Sequence, residues 1–294
     1  MFAIGHIEIR HPFTLAALAG YSDLPMRRIA RRCGAAYALH GAMLDRSVTY
    51  PGQWQKRLLT VEPDDHPVGA QLMGDDPEGL AQAARLMSEA GYDVIDLNFG
   101  CSAPRILNRG HAGALLAHPE LLLRIVERVV KEVGDRRPVT VKLRRAYDDS
   151  PASERSFLAI LDGALRLGVA AVTLHPRTVV QRFRGRSDWR FLARVKKHVG
   201  GRTVLGSGDL RTVEDVRRML DQTGVDGVAL ARGAMGKPWF FRDCLALAAG
   251  GPVPAPPTLD ELRQIMAQHY AESVRCYGEE AAGRMRYKHL VKYG

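Results

Sequence analysis

At 294 residues, with 46% apolar and 25% charged side chains, the chain has ordinary globular composition, which excludes fibrous and disordered classes. Its four cysteines, Cys33, Cys101, Cys244 and Cys276, form no C-x-x-C pair. That argues against a disulfide framework and against a zinc site, and it fits a reducing compartment. Forty-two Lys and Arg against 32 Asp and Glu leave a net charge of +10, a balance that attracts polyanions without specifying a fold.

The first ten residues carry Glu8 and show no basic-then-apolar leader pattern. No apolar run approaches the ~20 residues of a membrane span, so a soluble cytoplasmic protein, with no membrane partner, is expected. From there, short apolar runs alternate with longer amphipathic ones. Strands are predicted at 13–19, 36–39, 68–73, 94–97, 139–143, 170–174, 203–205 and 227–231. Several are nearly continuous and β-branched, as in strands buried on both faces of a parallel sheet. Helices are predicted at 25–32, 77–90, 119–133, 153–167 and 212–222, the first placing Arg27, Arg28, Arg31 and Arg32 on its wet side. Helix caps support the pattern: Asp76 precedes Pro77, and Gly91 and Gly168 follow two of the helices. Eight such units predict a (β/α)8 TIM barrel over residues 1–249, with an open doubly wound sheet as the alternative. Residues 250–257 are rich in Gly and Pro and read as a linker. Helix resumes at Thr258, where Glu261 completes a capping box, and Leu262, Ile265, Met266, His269 and Tyr270 keep helical spacing. Residues 258–294 are therefore read as a small basic C-terminal helical domain, a reading that allows truncation at Gly294.

Functional residues of a barrel gather at the carboxyl ends of its strands. Those positions hold Gly20, Gln71, Asn98, Cys101, Lys142, Arg144, His175, Arg177, Ser207, Gly208, Asp209, Ala231 and Arg232. The small residues Gly206–Gly208 and Gly233–Ala234, after the seventh and eighth strands, suit a bound phosphate. An exposed thiol at Cys101 with an ordinary pKa is mostly protonated, so it can donate a proton. Arg177 and the arginines at 182, 184 and 186 suit a polyanionic substrate lying across the mouth.

These residues lie in stretches that together resemble the dihydrouridine synthases. The stretches are LAALAGYSDLPMR (15–27), VGAQLMG (68–74), YDVIDLNFGCSAP (92–104), VTVKLR (139–144), VTLHPRT (172–178), LGSGDL (205–210), VALARGAMGKPWFF (228–241) and RYKHLVKY (286–293). The resemblance implies a barrel holding FMN, a helical domain that binds tRNA, and reduction of uridine at C5–C6 with NADPH as reductant. It implies Cys101 as proton donor. It further implies Ala17, Leu18, Ala19, Gln71, Lys142, His175, Ser207, Gly208, Asp209, Ala231 and Arg232 around the flavin. Asn98, Arg144 and Arg177 would face the substrate, with no metal and a monomeric protein. Three positions depart from the family pattern: Ala17 and Ser102 stand where Pro is usual, and Ser207 where Asn is usual. Two other readings share these features in part: a flavin barrel acting on a small molecule, and a barrel that binds RNA without catalysis.

Overall fold

The computed structural model describes residues 1–283 and 292–293. The chain begins with an antiparallel hairpin, β1 (Phe2–Ile4) and β2 (Ile7–Ile9), then enters β3 (Phe13–Leu15) and α1 (Leu24–Arg32). Next come β4 (Tyr37–Leu39), β5 (Met43–Leu44), α2 (Asp45–Thr49), α3 (Gln53–Leu58), β6 (Val68–Met73) and α4 (Pro77–Glu89). They are followed by β7 (Val94–Phe99), α5 (Pro104–Leu107), α6 (Pro119–Val133), β8 (Val139–Arg144) and α7 (Pro151–Arg166). The barrel finishes with β9 (Ala171–His175), α8 (Trp189–Val199), β10 (Thr203–Gly206), α9 (Val213–Thr223), β11 (Gly227–Leu230) and α10 (Phe240–Ala248). Beyond residues 251–258, which carry no regular structure, lies α11 (Leu259–Tyr277).

Eight parallel strands close on themselves. The sheet runs β4-β3-β11-β10-β9-β8-β7-β6, and β4 pairs with β6 through Ala38↔Val68 and Leu39↔Gly69. That last pairing makes the structure a TIM barrel and excludes the open sheet. β5 pairs farther along β6, through Met43↔Leu72, so the second barrel strand is one strand interrupted at residues 40–42.

The strands are buried along nearly their whole length because helices cover the outside and side chains fill the inside. α6 packs Leu122, Ile125, Val126, Val129 and Val133, one helical face, against that core. The hairpin adds Ile4 and Ile9 to a cluster with Ala36, Tyr37, Val94 and Leu205, closing the amino-terminal end of the barrel. No described helix is long and apolar enough to cross a membrane.

Two sequence expectations are corrected. The first strand stops at Leu15 rather than residue 19, because residues 17–19 turn: Leu18 N–H donates to Ser22 Oγ at 2.8 Å. Arg27 and Arg28 are not on a wet face, being 1% and 4% exposed. Arg27 donates to Asp65 from Nε and Nη2, and Arg28 pairs with Asp64 and, on α11, Glu272. Burial would release their protons, but these carboxylates outweigh it and raise both pKa values.

Candidate active site at the barrel mouth

A buried hydrogen-bond chain runs from the start of β8 through the middle of β7 and β6 to the carboxyl end of β7. Thr140 Oγ1 donates to Asp96 Oδ1 at 2.5 Å, and Gln71 Nε2 donates to Asp96 Oδ2 at 2.7 Å. Asn98 Nδ2 in turn donates to Gln71 Oε1 at 2.7 Å. Asn98 Oδ1 then accepts the Gly100 and Cys101 N–H groups at 2.9 and 3.0 Å. The anchor, Asp96, is 1% exposed, and burial pushes its carboxyl up from the usual range despite the donors facing it. Sequence reasoning missed Asp96, although a carboxylate inside the apolar run VIDLNF was a visible signal. Gln71 and Asn98 thus meet directly, as successive links toward Cys101.

Cys101 is half-buried and packs with Ala42, Leu44 and Ala103 against Met73, Ile106 and Ala112. Its carbonyl accepts Gly113 N–H at 3.1 Å. Ala112 takes the left-handed conformation (φ 51°) where the loop turns back toward the barrel.

Lys142 and Arg144 alternate along β8. Burial lowers the Lys142 ammonium to about 8, with the Arg144 charge adding to the effect. Among the described residues its Nζ makes no hydrogen bond, and Gly100 leaves it space, since a Cβ there would lie 3.0 Å away. Arg144, 2% exposed, turns inward and serves the protein itself. It donates to Gly100 O, Thr178 O, Arg182 O and Ser102 Oγ. Burial lowers its guanidinium to about 10.

His175 ends β9, and its Nδ1 receives the Arg177 N–H at 3.3 Å. Burial, reinforced by Lys142, Arg144 and Arg177, drives its pKa down to about 2, so the ring is neutral. Arg177 grips Asp209 from Nη2 at 2.8 and 2.7 Å and holds the following loop through Arg184 O and Gly185 O. Burial would raise the Asp209 carboxyl, but the Arg177 and Ser187 donors outweigh it and hold it low. Ser207 is buried beside Gly208 (φ 106°), where a Cβ would strike Ser187 Oγ at 2.7 Å and the His175 ring at 3.3 Å. Across β11, Ala231 is half-buried and Arg232 exposed, with its guanidinium 4.8 Å from the Phe183 ring centroid.

Lys142 Nζ on β8 and the buried Arg177 Nη1 just beyond β9 thus have no hydrogen-bond acceptor among the described residues. Orphaned cationic donors beside small-residue turns fit a flavin, whose pyrimidine edge accepts hydrogen bonds and whose phosphate is anionic.

The open cavity lies on the other half of the mouth and encloses about 690 Å3. Its lining includes Ala19 and Gly20 after β3, His40 to Leu44 before and in β5, Met73 of β6, and Arg105, Ile106 and Arg109 from the segment after β7. Residues 275–277 of α11 and Trp54 and Arg57 of α3 also line it. Four of its lining residues, Ala42, Leu44, Met73 and Ile106, belong to the cluster around Cys101. His40, another residue missed from sequence, is lowered to about 4 by burial, with Arg27 adding to the effect. Of the basic tail residues, Arg275 reaches this cavity, whereas Arg284, Arg286, Lys288 and His289 lie outside the described residues.

The sequence profile of the dihydrouridine synthase (Dus) family matches residues 14–294. A probable tRNA-dihydrouridine synthase of Mycobacterium tuberculosis (strain CDC 1551 / Oshkosh) is 35% identical over 99% of this chain and 76% of its own. One from Rickettsia bellii (strain RML369-C) is 32% identical, covering 100% and 88%. tRNA-dihydrouridine synthase B of Pseudomonas aeruginosa is 33% identical, covering 99% and 86%. Among solved structures, histamine dehydrogenase from Rhizobium sp. 4-9 superposes with a TM-score of 0.62 at 12% identity. The match covers 90% of this chain and 48% of that one, a likeness of barrel fold alone.

Proposed function

Because this chain belongs to the dihydrouridine synthase family, we propose that it reduces the C5–C6 double bond of uridine in transfer RNA, giving 5,6-dihydrouridine. The observation that supports this reading within the molecule is the setting of Cys101. Cys101 packs in a cluster with Ala42, Leu44, Met73 and Ile106, residues that line the open cavity, on a loop held by Asn98 and Gly113, with two buried cations close by.

A bound flavin, in our reading FMN reduced by NADPH, supplies the hydride for uracil C6. Lys142, Gln71 and the neutral His175 would hold its ring system. The turns at Ser207–Asp209 and Ala231–Arg232 would hold its phosphate, with Ala17, Leu18 and Ala19 contributing backbone from the first strand. The Cys101 thiol gives its proton to C5. The thiolate left behind faces Lys142 and Arg144, both close enough for its charge to raise their hold on their own protons. Those cations stabilise the charge where it develops.

A uracil inside folded RNA reaches such a thiol only when its nucleotide turns out of the stack, which costs a few kcal/mol. Arg57, Arg105, Arg109 and Arg275 border the cavity and offset that cost through phosphate contacts. The test is reconstitution: purified protein, FMN, NADPH and unmodified tRNA, with mass-spectrometric mapping of the product. A gain of two mass units at defined uridines is expected, and tRNA left unmodified would refute the proposal.

A further inference from the structure

The geometry points to Ser102 as a positioning residue that aims the Cys101 thiol through Arg144, an inference that rests on Cys101 being the proton donor proposed above. Arg144 brackets the cysteine. Its Nε donates to the carbonyl of Gly100, the residue before, at 2.8 Å, and its Nη2 donates to Oγ of Ser102, the residue after, at 2.9 Å. Both partners of the second bond are buried, Arg144 at 2% and Ser102 at 3% exposure.

The guanidinium cannot shift to compensate for a lost contact. It is planar, so the positions of its three nitrogens are linked. Its remaining nitrogen, Nη1, is committed to Thr178 O at 3.0 Å and Arg182 O at 2.7 Å. The two flanks of Cys101 are thereby registered against the loop that follows β9, and Phe183 in that loop lies under the same guanidinium, 5.4 Å from its ring centroid. Every acceptor of Arg144 except one is a backbone carbonyl that no substitution removes. Ser102 Oγ is the exception.

The other restraints act on Cys101 itself: Asn98 Oδ1 takes its N–H, and Gly113 N–H takes up its carbonyl. They fix the peptide on either side of the Cα but not the onward direction of the chain, which the Ser102 hook supplies. Where the family pattern has proline, a ring would restrain that direction through φ. Here a hydrogen bond to a buried cation does so. A thiol that must meet one carbon of a bound base is sensitive to such aim, since a displacement near 1 Å can cost roughly a hundredfold in rate.

The experiment separates the two half-reactions of the flavin-loaded enzyme. In Ser102→Ala, flavin content and the rate of reduction by NADPH should match the wild type. Reoxidation of the reduced enzyme by tRNA should slow between roughly ten- and a hundredfold. Alkylation of Cys101 by iodoacetamide, followed by peptide mass mapping, should change rate in the same variant. Ser102→Thr, which keeps the hydroxyl, should restore both readings, and its near-isostere Ser102→Val should not. The Thr and Val pair carries the test alone if Ser102→Ala fails to fold. Wild-type reoxidation and alkylation rates in Ser102→Ala, or equal behaviour of Thr and Val, would overturn the inference while leaving the enzyme's function standing. Wild-type protein that never modifies tRNA sinks the functional reading instead, and the alkylation comparison still reports on the aim of the thiol.

Discussion

At the scale of single residues, the mouth of the barrel is defined by what each charge is allowed to do. Cys101 is held by its backbone neighbours rather than by its sulfur, so replacing the sulfur should not disturb the loop. Cys101→Ala is therefore expected to keep its flavin and its tRNA affinity while losing at least about a hundredfold in turnover, the scale of a proton-transfer contribution. Single-turnover kinetics on tRNA check this, and undiminished turnover would remove the thiol from the reaction. His175 makes a prediction about pH. Its folded pKa is about 2, far below the 6.5 of an unfolded histidine, so the unfolded chain binds the extra proton first as pH falls. The stability is complete above pH 6.5 and drains away on acidification, by about 1 kcal/mol at pH 5.5. Denaturant melts at pH 7.5 and 5.5 should show His175→Gln losing less than the wild type by that amount, and equal losses would contradict the assignment. The individual strand-end residues of this site were legible in the sequence, because polar groups there interrupt apolar runs in register. Their pairings were not. Nothing local indicates that Arg177 closes on Asp209 or that Arg144 turns inward, since both partners lie far along the chain.

Among the elements, legibility followed length. α6 and α9 match the sequence reading to within a residue, because each has three or more turns of 3.6-residue periodicity and a marked start, Pro119 on α6 and the Thr212 capping box on α9. The β1–β2 hairpin has three residues per strand, and β5 only two, too few to establish an alternating pattern. α8 went unread because Gly185 and the arginines before it resemble a solvated loop, although Phe191, Leu192 and Val195 supply a buried face. α7 starts at Pro151, earlier than read, on a Ser150 cap that Asp148 helps to hold. α11 is attached to α1 by Glu272, whose carboxylate meets Arg28 at 3.0 Å and Arg32 at 2.8 Å. Tyr277 adds a hydrogen bond to Asp23 at 3.0 Å. Glu272→Ala should cost about 1 kcal/mol, since Arg28 keeps Asp64 while Arg32 is exposed. Limited proteolysis in the segment 249–258 should accelerate in that variant, and an unchanged cleavage rate would show that other contacts hold α11 in place.

For the molecule as a whole, the excess of ten positive charges matters through where it is concentrated. Four exposed arginines, Arg57, Arg105, Arg109 and Arg275, border the cavity at the mouth, and each phosphate they neutralise releases counterions. Binding of tRNA should weaken linearly on a log–log salt plot. Replacing Arg105 or Arg109 with Gln should lower the slope by about 1 each, without altering which uridine is reduced. A slope unchanged by either substitution would place the RNA elsewhere.

The hairpin that stoppers the lower end of the barrel has a kinetic consequence. With that end plugged and the interior filled, traffic has a single doorway. If a dinucleotide delivers the electrons, as proposed above, it and the polynucleotide that receives them would have to pass through it in turn, each departing before the other enters. Double-reciprocal plots at several fixed levels of one substrate should then give parallel lines, and lines that converge would mean that both can be aboard at once.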